Sequence, residues 1–451
     1  MVRTNFKGRR DPGARSDPAD ARQNAGGAGG LPKLTEDGAA MRLLVIHQNF
    51  PGQFGHLVKA WSTRPGWDVR ALGRDFAPGL PGYEALTRYT LARQVNPTQH
   101  PYLKQMERAT LQGQAAARAM LAMRATGFSP DVILAHPGWG ETLYAKEVFP
   151  QARLVHFCEW YYRPTGGDLG FDPEFPASFD DRARVCNWNA LHTLNLTQCD
   201  AAVSPTEWQR RQHPEIFLPK ISVQHEGLDL DRLGPDPGAW VKTPGGQVLR
   251  AGDPVITYVS RNLEPYRGFH VFMRALEAVQ KVHSGCHALI VGGDGVSYGA
   301  APSGPAYAGR SWRQIFLDEV KETLDLSRVH FVGRLAYPDF VQLMQLSRVH
   351  VYLTYPFVLS WSLLEAMSIG CSIVASDTEP VREAIEDRTH GLLVDFFDQT
   401  ALVDRVCELA QDRALASRLG AAARQHMIER YDLRTRCLPR QLDWVARVAG
   451  A

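Results

Sequence analysis

The sequence predicts an α/β protein built as two Rossmann-like halves, each a doubly wound parallel sheet. Short apolar, β-branched runs alternate with stretches of helical periodicity, the pattern of βαβ units. That alternation halts between Leu233 and Pro254, a segment dense in proline and glycine, and then resumes for a second series of comparable length. A third observation bears on function. Several of the runs end in glycine-rich or polar loops, and open α/β sheets bind their ligands at the carboxyl ends of strands.

Residues 1–40 are rich in Gly, Ala, Arg, Asp and Pro and nearly lack large apolar side chains. They cannot bury enough surface to offset the entropy of ordering, so they are expected to be a disordered leader. Met41 directly precedes the first strand, which leaves an upstream start open. The first half is expected over residues 41–235. Its strands read as Arg42–Ile46, Val69–Leu72, Asp131–Ala135, Arg153–Phe157, Ala201–Ser204 and Ile221–Gln224. After the first strand comes HQNFPGQFGHL, where Gly52 and Gly55 permit a tight turn. A helical pattern from Tyr102 to Ala125 carries Lys104, Arg108, Arg118 and Arg124. It reads as a solvated face, with contact to an anionic membrane as the alternative.

Residues 236–254 are expected to be a linker and 255–430 the second half. Strands there are expected at Val255–Ser260, Ala288–Val291, Val329–Val332, Val349–Thr354, Ser372–Ala375 and Leu392–Val394. The tail is helical, ending in a helix over 431–451.

Composition narrows the classes. A chain of 451 residues with 44% hydrophobic and 22% charged residues has the length and balance of two or three globular domains. A net charge of +2 argues against a nucleic-acid binder that works by bulk electrostatics. Seven cysteines with no C-x-x-C pair fit a reduced compartment, where most would be small core residues. No apolar run reaches membrane-spanning length. The expected location is cytoplasmic, with peripheral attachment to the inner face of a membrane left open.

The most informative stretch is VHVYLTYPFVLSWSLLEAMSIGCSIVAS, Val349 to Ser376. It reads as strand, loop, helix, strand, and so aims the loop at a helix N-terminus, which favours phosphate. Glu365 has two readings from spacing. Ser362-x-x-Glu365 fits a capping box, in which the glutamate bonds back to the cap; alternatively, Glu365 faces a ligand.

LLEAMSIGCSIVAS resembles the signature helix of the family 4 retaining glycosyltransferases, which have the two-domain GT-B fold. The resemblance extends over nearly all of the chain from Met41, through the segments HQNFPGQF, HPGWGE, EPYRGF and YPFVLSWSLLEAM. It implies that the halves face one another across a substrate cleft and that the last helix crosses back to the first half. It implies that Glu365 binds the ribose of a nucleotide-sugar, with Leu359, Ser360, Trp361 and Ser362 beside the donor phosphates. Arg261 and Arg267, in SRNLEPYRGF, match the family's basic pair on the departing diphosphate, and Gly268 matches the glycine that follows. Gly52 and Gln53 match the N-terminal glycine loop. Val332 and Gly333 match a segment whose backbone reads the base. In the first half, Glu159 ends its strand where many members carry a histidine near the reacting carbon. His136 and Trp160 are candidates for the acceptor. One departure stands out. The glutamate that usually grips the donor sugar, eight positions before Glu365, is here Phe357.

The reaction so implied moves a hexose from a UDP- or GDP-sugar to a hydroxyl of a saccharide or lipid-linked acceptor, with configuration retained, in polysaccharide or glycolipid assembly. No cofactor is expected beyond the donor itself, and no metal, because arginines and a helix N-terminus would take its place. Two rivals stay open: a nucleotide-sugar epimerase on the same fold, and a non-catalytic sugar-nucleotide binder.

Overall fold

The structure, a computed structural model, describes residues 41–450; the leader lies outside the described residues. The first half contains β1 (Arg42–Ile46), β2 (Asp68–Arg74), β3 (Leu86–Tyr89), β4 (Val132–Ala135), β5 (Arg153–Phe157), β6 (Ala201–Ser204) and β7 (Ile221–Val223). These pair in parallel in the order β3-β2-β1-β4-β5-β6-β7. A small antiparallel hairpin follows, β8 (Trp240–Lys242) and β9 (Val248–Arg250). The second half contains β10 (Val255–Asn262), β11 (His287–Gly293), β12 (Val329–Gly333), β13 (Val349–Tyr352), β14 (Ile373–Ser376) and β15 (Leu392–Val394), parallel in the order β12-β11-β10-β13-β14-β15.

Helices cover both faces of each sheet, which is why the strands read as continuous apolar runs rather than alternating ones. Leu44 and Ile46 of β1 enter one core, while Leu43 and Val45 enter another across the sheet. Burying each such side chain contributes about 1.5–3 kcal/mol relative to exposure.

Two elements differ from expectation. β3, LTRY, is an edge strand in which only Tyr89 is buried, so it lacks the apolar run that marks its neighbours. The proline- and glycine-rich segment, expected to be a linker, instead forms the β8–β9 hairpin. Buried Leu249 and half-buried Val241 join it to the core of the second half. Its turn, T-P-G-G-Q, supplies the glycines that disguised it.

The C-terminal helix Leu438–Gly450 buries Trp444 and Val445 in the first half's core, with Phe54, Leu57 and Trp61. The two halves meet at further points. Glu383, which follows β14, accepts the backbone N–H groups of Glu207 and Trp208 in the first half, both at 2.7 Å. It thereby satisfies orphan donors at the start of the helix Glu207–Arg211. The long loop after β5 reaches the second half as well. Asp172 bonds His270 and Tyr355, each at 2.9 Å, and Glu174 pairs with Arg274. The β-sheet frame is therefore clasped on more than one side of its central cleft. Among the described residues, no helix is long and apolar enough to cross a membrane.

Candidate active site

Between the halves lies a cleft of about 610 Å³, at the carboxyl ends of β1, β5, β7, β10 and β13. Glu159, Arg261, Arg267, Leu359, Ser360, Trp361, Glu365 and Gln53 all line it.

Arg267 is the most telling of these. The left-handed Gly268 that follows it, at φ 68°, lets the chain turn from a short helical turn into the helix Phe269–Val282. A Cβ at Gly268 would come within 2.4 Å of Leu353, so the close approach requires glycine. Arg267 itself is 6% exposed. Its guanidinium bonds Thr354 Oγ1 at 2.6 Å, the Val358 carbonyl at 3.2 Å and the Tyr352 hydroxyl at 3.4 Å. None of these partners is charged, which leaves a buried cation facing a cleft with its charge uncompensated by direct contact among the described residues. Arg261 is exposed at the cleft edge. The ring of Tyr298 sits against both guanidiniums, with centroid distances of 4.9 Å to Arg267 and 6.0 Å to Arg261.

Tyr298 is held there by Glu264. This buried carboxylate gathers the N–H groups of Ser297, Tyr298 and Gly299 at 2.9–3.3 Å. Nothing in the spacing of these residues announced the arrangement, because it joins two loops across the sheet.

The helix Trp361–Ile369 begins at Ser360, whose hydroxyl accepts the Ser362 N–H at 3.3 Å. Ser360, not Ser362, is the cap. Glu365 is thus in the fifth helical position, too far along to close a capping box, and that reading is corrected. Its carboxyl lies in the cleft wall, where burial pushes its pKa up against a hydrogen bond from Tyr337. The Ser360 N–H is taken by the Tyr352 hydroxyl at 3.0 Å and the Ser362 N–H by the cap, so both amides are already occupied.

The opposite wall centres on Glu159. His136 and Glu159 end adjacent strands, β4 and β5, and meet at 3.3 Å, Nε2 to Oε2. His136 Nδ1 accepts the Gly138 N–H at 3.1 Å, which leaves its Nε2 hydrogen to be donated to Glu159. Burial would raise the Glu159 pKa, but that bond and the charge of Arg261 outweigh it and hold the group below the usual carboxylate range. Glu159 is an anion with 44% of its side chain open to the cleft.

Glu226, one residue beyond the β7 strand-end loop's His225, was missed from sequence. It lines the same cleft at 7% exposure. Burial, with the nearby Glu159 charge, pushes its pKa up to about 8. His225 faces it at 3.8 Å but is lowered to about 4 by burial, so at neutral pH the two meet as neutral groups rather than an ion pair. The signal available was a carboxylate in H-E-G just past a strand end.

Other expected residues lie away from the cleft lining. Gly52, at φ 51°, is tucked under the His47 ring, where a Cβ would come within 2.5 Å; it shapes the loop while Gln53 reaches the cleft. Val332 and Gly333 end β12, with Val332 packed against the second half's core. His136 lines a neighbouring chamber of about 100 Å³ that shares Glu159 with the cleft. Trp160 also borders that chamber, but its ring is 6% exposed and packs edge-on against Phe357 at 4.9 Å. It belongs to an aromatic joint between the halves. Phe357, where the resemblance expects a sugar-binding glutamate, is the other side of that joint, against Tyr266 as well.

Comparison with known proteins bears on the fold and the family. The family model "Glycosyl transferase family 4 group" matches residues 65–233, and "Glycosyl transferases group 1" matches residues 245–426. A GDP-mannose-dependent alpha-(1-6)-phosphatidylinositol monomannoside mannosyltransferase of Mycolicibacterium smegmatis is 26% identical over 244 residues, 52% of this chain and 60% of that protein. The chain spans about half the length of the curated relatives it matches. Among solved structures, sucrose-phosphate synthase of Thermosynechococcus elongatus superposes with a TM-score of 0.65 at 17% identity, covering 91% of this chain and 100% of that one. Anabaena HepE, solved with UDP and glucose, gives 0.59 at 16%, covering 90% and 99%. At such identities the structural likeness speaks for the fold. With a two-sheet architecture, a cleft at the strand ends and family models matching both halves, the chain belongs to the family 4 glycosyltransferases of GT-B fold.

Proposed function

We propose that the chain transfers a hexose from a nucleotide diphosphate sugar to an acceptor hydroxyl with retention of configuration, in polysaccharide or glycolipid assembly. The observation that carries this reading is Arg267, a buried cation on the cleft wall without an anionic partner in contact among the described residues, beside Arg261 and Glu365. A diphosphate completes such a site, and arginine suits it because its planar donors match phosphate oxygens.

In this reading the bond from the sugar C1 to the phosphate oxygen breaks, and its electron pair stays on the phosphate. Arg261 and Arg267 take up that charge from a preorganised wall. The acceptor oxygen bonds C1 on the same face, and its proton passes to the departing phosphate oxygen. Glu159, held by His136, sits opposite as an anion able to orient the incoming hydroxyl and support positive charge at C1. No metal is assigned a role, since two arginines can neutralise the diphosphate. The donor is a UDP- or GDP-sugar. The relative described as GDP-mannose-dependent and the neighbour solved with UDP support that class. Peripheral contact with a membrane would follow if the acceptor is lipid-linked.

The test is the melting temperature of the protein with UDP, GDP and ADP, each with and without EDTA. Ligands that bind the folded state raise it. A rise with UDP or GDP that EDTA leaves unchanged is expected, and Glu365→Gln should diminish it without loss of intrinsic stability. No rise with any nucleotide would put the non-catalytic and catalytic donor readings aside together.

A further inference from the structure

Beside the donor cleft is a second, larger chamber of about 770 Å³, within the range of ligand pockets. It is built from two loops that no motif explained: the one after β5, from Arg163 to Ser178, and the one after β11, from Asp294 to Ser311. We propose that this chamber is a saccharide site that receives the acceptor, a proposal that rests on the transfer reaction above.

Its lining includes aromatic side chains from both halves. Tyr162 is stacked on Trp188 with centroids 4.2 Å apart, and Tyr307 and Trp312 come from the second half, Trp312 with one face on Phe316. The electron-rich face of an aromatic ring suits the C–H face of a pyranose. Among these rings is a hydrogen-bond acceptor in want of a donor. Asp168 is 6% exposed; its Oδ2 accepts the Tyr266 hydroxyl, while Oδ1 is buried with no partner among the described residues. Buried polar atoms are almost always paired, so this orphaned carboxylate oxygen, closed off just behind the chamber lining, is an acceptor that a hydroxyl entering the chamber would satisfy.

The combination selects among ligands. A lipid tail would leave Asp168 unpaired. A saccharide supplies both apolar ring faces and hydroxyl donors. The chamber also has the position an acceptor needs. Tyr298, against Arg267, is a wall common to the donor cleft and the chamber, and Tyr162 and Trp188 also line the small chamber that contains His136 and Glu159. A saccharide lying along the aromatic walls therefore points its end toward Glu159.

The experiment is binding of the fluorescently labelled full chain to a printed array of defined oligosaccharides, with saturating UDP or GDP present. Binding to a restricted set of saccharides is expected, falling at least tenfold in Asp168→Asn and in Tyr307→Ala. In both variants, nucleotide should still raise the melting temperature. Tyr307 is on the chamber rim at 39% exposure, so its variant decides the matter even if Asp168→Asn does not fold. Two outcomes overturn the proposal: a wild-type protein that responds to nucleotide yet binds no arrayed saccharide, or saccharide binding that both variants leave unchanged. Failure of the donor reading would show separately, as loss of the nucleotide response in the wild type.

Discussion

The two walls of the cleft are built on opposite electrostatic plans. On the side of the second half, Arg267 is a buried permanent cation, fixed by neutral oxygens and covered by Tyr298. On the side of the first half, Glu159 and Glu226 are two carboxyl groups that share a cleft yet differ in state. Glu159 is held anionic by His136 and Arg261, whereas burial and the Glu159 charge keep Glu226 protonated at neutral pH. One wall is suited to grip a charged leaving group. The other is suited to support a developing positive charge and to orient a hydroxyl. Pairs of titratable groups driven apart by their surroundings are how one site holds two protonation roles at once.

That contrast can be broken most directly at Glu159. Glu159→Gln keeps the shape and the His136 contact but removes the charge. Turnover should fall by about 10²–10³-fold, the loss seen when one preorganised electrostatic group is removed. Nucleotide diphosphate affinity should change by less than about twofold, because Arg267 and Glu365 are untouched. Steady-state kinetics set beside calorimetric titration of UDP or GDP separates the two. An equal loss in both would mean that Glu159 acts on the donor wall, and the division of labour would be lost.

Arg267→Ala attacks the other wall. Charge-assisted hydrogen bonds contribute about 1.5–3 kcal/mol, so nucleotide diphosphate binding should weaken about 10–100-fold. Arg267→Lys should recover only part of that, since an ammonium cannot keep the bonds to Thr354 and Val358 while also presenting a planar fork. Calorimetric affinities of the three proteins measure this. Unchanged affinity in Arg267→Ala would remove the residue from the phosphate site.

The two walls also differ in how much of them was legible in the sequence. Arg261 and Arg267 lie within a few residues of a strand end and Glu365 on the helix that follows β13, all in short local patterns, and the strands themselves are apolar runs buried on both faces. Local order is what a sequence displays. The opposing wall depends on residues far apart in the chain: His136 reaches Glu159 across 23 positions, and only burial in the assembled cleft makes Glu226 unusual. Trp160 shows the converse. Its aromatic surface suggested a sugar platform, yet its partner is Phe357 of the other half, a contact that no spacing encodes. β3 and the β8–β9 hairpin were missed for a related reason, since edge and linker strands are half exposed and lack the uninterrupted apolar run.

The subtlest way to sharpen the contrast is the pH dependence of stability at Glu226. Its pKa is about 8 in the folded protein, against about 4.5 for an ordinary glutamate. The folded state therefore holds a proton that the unfolded state has released between those values. Stability from this group is complete below about pH 4.5 and is lost as pH rises through about 8. Between pH 7 and 8.5 the loss should be on the order of 1 kcal/mol, at 1.36 kcal/mol per pK unit. Glu226→Gln preserves the hydrogen-bonding shape of the neutral acid and cannot ionise, so its stability should stay flatter over that window. Urea denaturation midpoints of the two proteins at intervals from pH 6 to 8.5 test this as a difference, in which the many other ionising groups cancel. Parallel curves would mean that Glu226 is already ionised at neutral pH. The first-half wall would then carry two like charges.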